Sequence, residues 1–325
     1  MKRRWAAAMV AVVMAAPAAG ASAAPAASAD AGPRSFTVAA AGDVLIHRGM
    51  ARVADGYAPG PNTYDFTPIM RPIEPWISEA DVAICQMEVT LSHTNTGLSY
   101  YPRFRVPHEL ADTLAEIGFD VCTMASNHSL DYGIGGLADT LEILHAAGIR
   151  TTGTARTAEE RLPILYEANG VLVGHMAYAY GQNSRPPGEE PWSVNYLDAE
   201  AILADAAWLR EQGAEFVILS MHAGYEYQVR PSWRQKALAE ELLPSPDIDL
   251  ILGHHVHIVQ PIQKIGDEYV VYGMSNFISN IRTDPAKGRY GPENAIIVHA
   301  HVVEQPDGTF AVERLEYTPT WMDTY

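Results

Sequence analysis

The stretch LILGHHVHIVQPI, residues 250–262, places His254, His255 and His257 within four positions at the end of an aliphatic run. Four other aliphatic runs end in polar residues of the same kind. Residues 35–42 lead into Asp43, residues 81–87 into Glu88, residues 119–125 into Asn127, His128 and Asp131, and residues 214–221 into His222 and Glu226. Carboxylate, carboxamide and imidazole are the donors that bind hard and borderline cations. A pair of divalent ions about 3.5–4 Å apart needs a bridging carboxylate flanked by nitrogen and oxygen donors. Mixed imidazole and carboxylate suits Mn, Zn or Fe better than Ca or Mg. The expected cofactor is therefore one or two divalent transition-metal ions.

Each residue also has an ordinary explanation. Asp43 after Gly42 suits a turn, as does Asn127. Glu88 suits an exposed strand end, and His128 a loop histidine with its bonds satisfied. Taken singly these explanations are preferable; five successive strand ends with the same chemistry favour a metal site. In an extended segment side chains alternate, so His255 and His257 share one side and His254 faces the other, as an outer or substrate contact. Asp131 follows His128 by three residues at what reads as a helix start. A turn there brings the carboxylate to the imidazole, fixes its tautomer and suits His128 to general acid catalysis. The alternative is that Asp131 caps the helix and His128 faces solvent. His108, His145, His175, His299 and His301 lie within or beside regular elements and receive no role. Neither do His47 and His93, although His47 is close to Asp43.

The elements that must position these residues are short. Residues 35–42, 81–87, 119–125, 214–221 and 248–253 read as strands rich in Val, Ile and Leu. Residues 109–117, 135–147, 198–212 and 233–243 read as helices; Leu137, Leu141 and Leu144 fall on one face. Gly148 and Gly213 read as helix stops. Asn169-Gly170 and the stretch around Gly266-Asp267 read as hairpin turns. The order is mostly β-α-β with antiparallel hairpins, which predicts a layered α/β sandwich. If the strands run parallel, the polar ends share one edge of a sheet, where open α/β sheets bind ligands.

The N-terminus has the form of an export signal. Lys2, Arg3 and Arg4 precede an apolar stretch from Trp5 to Ala19, and two small-x-small sites follow it. Residues 1–29 are expected to be removed, 30–35 to be a linker, and 36–325 to form one domain. The apolar stretch is short for a span, so no stable membrane span is expected after cleavage. The full chain carries a net charge of −17, and loss of the three basic residues takes it to about −20. That excludes nucleic acid as the main partner and requires local positive charge to hold any anionic substrate. Arg103, Arg105, Arg230 and Arg234 are candidates. Cys85 and Cys122 each lie in an apolar run; they read as buried thiols, and pair only if those runs are neighbouring strands.

The segments AAGDVLIHRGM, YDFTPIM, EADVAICQMEVTLS, GFDVCTMASNHSLDYGIGGLADTLEILHAAGI, LSMHAGYEY, DLILGHHVHIVQPI and VVYGMSNFIS resemble, in order, those of the CapA-type poly-γ-glutamate capsule-synthesis proteins. That family is similar to the calcineurin-like metallophosphatases. The resemblance runs from Phe36 to Ile281. It implies an α/β fold, a four-layer α/β/β/α sandwich with a dinuclear site at its edge. Asp43 would hold one metal, Glu88 would bridge and Asn127 would hold the second. His222, His255 and His257 would complete the shells. His128 would sit beside the substrate, oriented by Asp131, with Tyr225, Glu226 and Asn276 near the pocket. The usual metallophosphatase Asp-x-His is here Asp43-Val44-Leu45, and Glu88 stands for the bridging Asp; both changes are shared with the CapA-type pattern. QMEV replaces the more usual Asn-Leu-Glu.

Three functions follow: a metal-dependent hydrolase of an anionic polymer, either poly-γ-glutamate or another envelope polymer; a polymer-binding accessory protein without chemistry; and a general secreted phosphoesterase. Mass spectrometry of the exported protein is expected to find an N-terminus near Ala24 or Asp30; an intact Met1 in a membrane fraction would contradict cleavage.

Overall fold

Along the first strand, Phe36, Val38 and Ala40 join one apolar cluster while Ala39 and Ala41 join another. A strand buried on both faces reads as an unbroken apolar run, and that run makes it a layer between two cores. The computed structural model describes residues 32–184 and 191–323. The expected export signal lies outside the described residues.

The strands are β1 (Ser35–Val44), β2 (Val82–Met87), β3 (Thr90–Ser92), β4 (Arg105–Pro107), β5 (Val121–Thr123), β6 (Arg150–Thr152), β7 (Ile164–Ala168) and β8 (Val171–Ala179). They continue with β9 (Phe216–His222), β10 (Leu250–His254), β11 (Ile262–Ile265), β12 (Glu268–Val271), β13 (Asn276–Ile278), β14 (Asn294–Glu304) and β15 (Phe310–Trp321). One sheet has the order β15-β14-β1-β2-β5-β6, with β13 also paired to β1. The other has the order β11-β12-β10-β9-β8-β7, and β3-β4 form a small ribbon. Within each large sheet the central strands are parallel. The second sheet ends in antiparallel pairs on both edges, while the first ends in the antiparallel β14–β15 pair on one edge and in β6, parallel to β5, on the other.

Helices α1 (Arg48–Tyr57), α2 (Thr67–Met70), α3 (Pro75–Ser78), α4 (Glu109–Glu116) and α5 (Gly133–Ala146) pack on the first sheet. Helices α6 (Ala199–Glu211) and α7 (Trp233–Leu242) pack on the second. Between the sheets, Phe36, Val38, Ile84 and Val121 meet Phe216, Ile218, Leu250 and Leu252. Three apolar cores thus separate four layers, as the resemblance implies.

The local signals fold as expected. Asn169 and Gly170 both have positive φ, 45° and 77°, between the antiparallel β7 and β8. Asp198 caps α6 by accepting from the Ala201 N–H, and Ser232 closes a capping box with Gln235. Cys85 and Cys122 are direct partners on β2 and β5 and form a disulfide. Ser35 pairs with Val303, and Arg34 is held by Glu215 and Glu304 at 2.7 and 2.8 Å, so these two residues of the expected linker take part in the fold. Among the described residues no helix is long and apolar enough to cross a membrane.

One expectation needs correction. The five polar strand ends do not share one sheet edge: β1, β2 and β5 belong to the first sheet, β9 and β10 to the second. The strands run parallel within each sheet, and packing face to face brings the two sets of carboxyl ends together. Close backbone approach secures both sides. A Cβ on Gly42 would collide with the Ser275 carbonyl, and one on Gly253 with the Tyr272 carbonyl. Gly253→Ala is therefore expected to destabilise the fold by about 1–3 kcal/mol, as overpacking does, read from the shift in a chemical denaturation midpoint.

Candidate metal centre

β1 departs from regular register with β2 between Ala40 and Asp43, and with β13 after Asp43. Such irregularities re-aim side chains at strand ends. Asp43 is fully buried. Its Oδ2 accepts from the His255 N–H at 3.0 Å and lies 3.4 Å from His257 Nδ1; its Oδ1 lies 3.6 Å from His254 Nδ1. Glu88 follows β2, and its Oε1 is 3.8 Å from His257 Nε2 and 3.9 Å from His222 Nε2. Asn127 Oδ1 lies 2.8 Å from the same His222 nitrogen. Glu88, His255 and His257 each offer a donor atom within 4.8 Å of the others.

His255 and His257 converge for a different reason from the one alternation supplies. Both have positive φ, 86° and 55°, so the segment coils instead of extending. His254 is the last residue of β10, directly opposite His222 on β9. It is buried against Asp43 and is not among the residues that line either cavity beside the site. Asn276 is buried as well, with Oδ1 2.8 Å from His257 Nδ1; it braces that ring instead of facing the pocket.

The donor atoms fit a cation. Asp43 Oδ1, both oxygens of Glu88 and His255 Nδ1 are buried without a hydrogen-bond partner, and His222 turns Nε2, which also meets Asn127, towards Glu88. A buried carboxylate left unpaired costs several kcal/mol, which a bound cation removes. Burial raises Glu88 well above the ordinary carboxylate range, with Asp43 adding to the shift. Burial, with neighbouring imidazoles, pushes His222 well below its usual value and His255 down to about 3, and burial takes His254 to about 4. These rings stay neutral and keep the lone pair a metal requires. His257 differs: burial opposes its charge, but Glu88 and Asp43 outweigh that and raise it to about 9.

His128 sits beside this cluster. Its Nδ1 is 2.7 Å from Asp131 Oδ2, which also accepts from the Phe104 N–H at 2.7 Å. Asp131 Oδ2 is taken by His128 and the Phe104 N–H and its Oδ1 has no partner, so Asp131 does not cap α5. The Phe104 ring meets His128 edge-on, with centroids 4.8 Å apart, and Arg103 donates to the Asp131 carbonyl. Asn183 Nδ2 lies 3.2 Å from His128 Nε2, and the Asn183 N–H donates to the Asn127 carbonyl.

Two cavities flank the cluster. One, of about 590 Å³, is lined by His47, Phe104, His128, Tyr227, His257 and Arg289, among others. The other, of about 860 Å³, is walled by Tyr180, Tyr225, Trp233 and His255. Glu226 lines both. Tyr225 and Glu226 are exposed. Tyr180, Asn183, Tyr227 and Arg289 were not expected. The first two follow β8, which reads as a hairpin arm and hides a parallel strand ending at the site. His47 packs edge-on against Phe104 at 5.4 Å. Of the basic candidates, Arg103 and Arg105 pack over Tyr132, Arg234 lies over Trp233, and Arg230 is exposed.

A family model described as bacterial capsule synthesis protein PGA_cap matches residues 37–281. The chain belongs to the PGA_cap family. It is 25% identical over 252 residues to the capsule biosynthesis protein CapA of Bacillus anthracis, covering 74% of this chain and 59% of that one. It is 24% identical to the PGA biosynthesis protein CapA of Bacillus subtilis, over 64% of this chain and 53% of that one. The chain thus spans between half and two thirds of the length of these curated relatives. Among solved structures, a phosphatase of Mycoplasma pneumoniae superposes with a TM-score of 0.54 at 12% identity, over 90% and 95% of the two chains. The calcineurin-like phosphoesterase YfkN of Bacillus subtilis gives 0.50 at 16%, over 90% and 92%. These likenesses show that this PGA_cap protein has the metallophosphatase fold.

Elemental analysis of the purified PGA_cap protein is expected to find one or two transition-metal ions per chain. The double substitution His255→Ala, His257→Ala should remove at least one. Because His257 must lose a proton to bind, affinity should rise with pH until about 9 and then level off. Calorimetric affinities independent of pH below that value would take His257 out of the donor set.

Proposed function

We propose that this PGA_cap protein is an exported, metal-dependent hydrolase of poly-γ-glutamate or a related anionic envelope polymer. One observation carries the reading: a buried, unpartnered set of carboxylates and imidazoles lies next to a carboxylate-held histidine that lines an open cavity. Export is supported by the Cys85–Cys122 pairing, since disulfides persist in oxidising compartments. Asp43, Glu88, Asn127, His222, His255 and His257 would hold one or two Mn, Zn or Fe ions. Ions bound there supply Lewis acidity towards a carbonyl or phosphoryl oxygen and lower the pKa of water.

The remaining work falls to the chain. Asp43 Oδ2, by accepting the His255 N–H, ties the β1 end to the coil that carries both histidines. Asn276 fixes the His257 ring. Asp131 accepts the Nδ1 proton of His128, which leaves Nε2 facing Asn183 and the cavity. The Asn183 amide nitrogen can only donate to an Nε2 lone pair, so this contact must give way when Nε2 carries the proton it delivers. In amide hydrolysis, water oxygen bonds to the carbonyl carbon and the C–N bond breaks. The departing nitrogen takes the proton carried on His128 Nε2, and the proton shed by water restores it. The same residue serves an alkoxide leaving group in a phosphoester. The −17 chain repels polyanions at long range, so capture depends on bound cations and on the basic residues at the cavity.

General acid catalysis contributes about 10²–10⁴-fold. His128→Ala should lower turnover by about that factor with metal content unchanged, and Asp131→Asn by less. The assay follows poly-γ-glutamate chain length and an activated phosphodiester in parallel. Full activity in His128→Ala would remove the assignment. Saturable polymer binding without turnover of either substrate by the metal-loaded protein would identify an accessory binding protein.

A further inference from the structure

The two cavities beside the metal centre differ in charge. The lining of the larger one includes Asp198, Glu226 and Glu241 against Arg234 alone, whose guanidinium lies 5.2 Å from the Trp233 ring centre. The lining of the smaller one includes Lys287 and Arg289 against Glu226. An anionic group beside the centre is therefore directed to the smaller cavity, which His128 also lines.

Arg289 is set in place there. Asp284 and Arg289 exchange two backbone hydrogen bonds of 3.0 Å, which close the loop that carries Lys287. The guanidinium lies 5.4 Å from the Tyr227 ring centre, and that ring lies 5.9 Å from His257. The nearest carboxylate oxygen, Asp284 Oδ2, is 3.7 Å from Nη2, beyond hydrogen-bond length. Lys287 Nζ shares that oxygen at 3.4 Å. Two cations thus meet one carboxylate on the loop, and the forked donors of a side chain only 22% exposed lack a close acceptor there.

We propose that Arg289, supported by Lys287, is an anion-binding subsite for a carboxylate on the leaving side of the substrate. The proposal rests on the hydrolase reading for the word "leaving" and deepens it by naming the substrate group. His128 and Arg289 line one cavity, so the proton and the anion anchor serve the same part of the substrate. In a γ-linked glutamyl chain the α-carboxylate sits on the carbon that carries the amide nitrogen. Every departing amine therefore bears an anion two bonds away. In an α-linked chain the corresponding carboxyl is consumed in the next amide, and the side-chain carboxylate lies further from the nitrogen. An arginine at this position selects the γ-linkage by charge and reach. Glu226, at the junction of the cavities, repels an anion from the other side and sets the direction in which the chain lies.

The test is calorimetric binding of a short γ-linked glutamate oligomer to metal-loaded protein in a His128→Ala background, which limits turnover during titration. Arg289→Gln should weaken binding at least about tenfold, the scale of a lost charged hydrogen bond. Lys287→Gln should weaken it less, and higher salt should reduce both effects. The same oligomer with amidated carboxylates, and an α-linked oligomer, should bind weakly and respond little to either substitution. Thermal melts and metal content check that the variants fold. Unchanged affinity in both variants, no binding to the parent protein, or equal affinity for the amidated or α-linked oligomer would overturn the subsite. Arg289-dependent binding of an oligomer that wild type never cleaves would leave the subsite standing and remove the hydrolase reading. Cleavage by wild type with Arg289-independent binding would do the reverse.

Discussion

Glu88 is a carboxylate taken out of water at the seam between two sheets, with neither oxygen hydrogen-bonded. Nothing in the apolar cores around it can compensate that charge. Its nearest partners are His257 and His222 at 3.8 and 3.9 Å, and these rings are themselves crowded by other imidazoles. Such a group is held only where the surrounding structure is strongly determined, and only with a cation or a proton to share. The three apolar cores provide that determination. They clamp β1 and β2 on one side and β9 and β10 on the other, so the carboxyl ends of the two sheets have one relative position.

Backbone strain is concentrated at the same seam. Among the described residues, the non-glycine positions with positive φ are three asparagines, which tolerate it, and Tyr227, His255, His257 and Ser275. His255 and His257 belong to the candidate metal site, the Ser275 carbonyl accepts from the Asp43 N–H, and Tyr227 lines the smaller cavity. Left-handed backbone at such residues costs about 1–3 kcal/mol each. The bonds that hold them are local to the site: Asp43 to the His255 N–H, Asn276 to His257, and the Ser275 carbonyl to the Asp43 N–H. Strain and unpartnered polar atoms thus occur together, the pattern expected where binding compensates what folding leaves unsatisfied.

The site also separates two kinds of chemistry in space. Buried imidazoles kept neutral by their surroundings face the acids at the seam, while His128, held by Asp131 on a separate turn, faces the cavity. Basic side chains are few in this acidic chain, and two of them stand at that cavity's wall. An anionic ligand would meet a chain of net charge −17, and Lys287 and Arg289 place positive charge in the cavity that His128 lines.

The strand ends, helix caps and hairpin turns follow from the sequence because each depends on neighbours within a few residues. Asn169-Gly170 turns, Ser232 caps, and Asp43, Glu88, Asn127, His222 and the 254–257 histidines each follow an aliphatic run. The His128–Asp131 pair is legible for the same reason, at a spacing of three. What spacing could not provide was the partition of the strands into two sheets, since a strand buried on both faces looks alike in either. Nor could it show that His255 and His257 converge through left-handed backbone, that Asn276 braces His257 and His254 lies against Asp43, or that Asn183 meets His128 and Arg289 lines the cavity beside it. The coil at 255–257 is local, but it is held by Asp43, 212 positions away, and by Asn276, 19 away, and only the packing of one sheet against the other determines which of these residues meet.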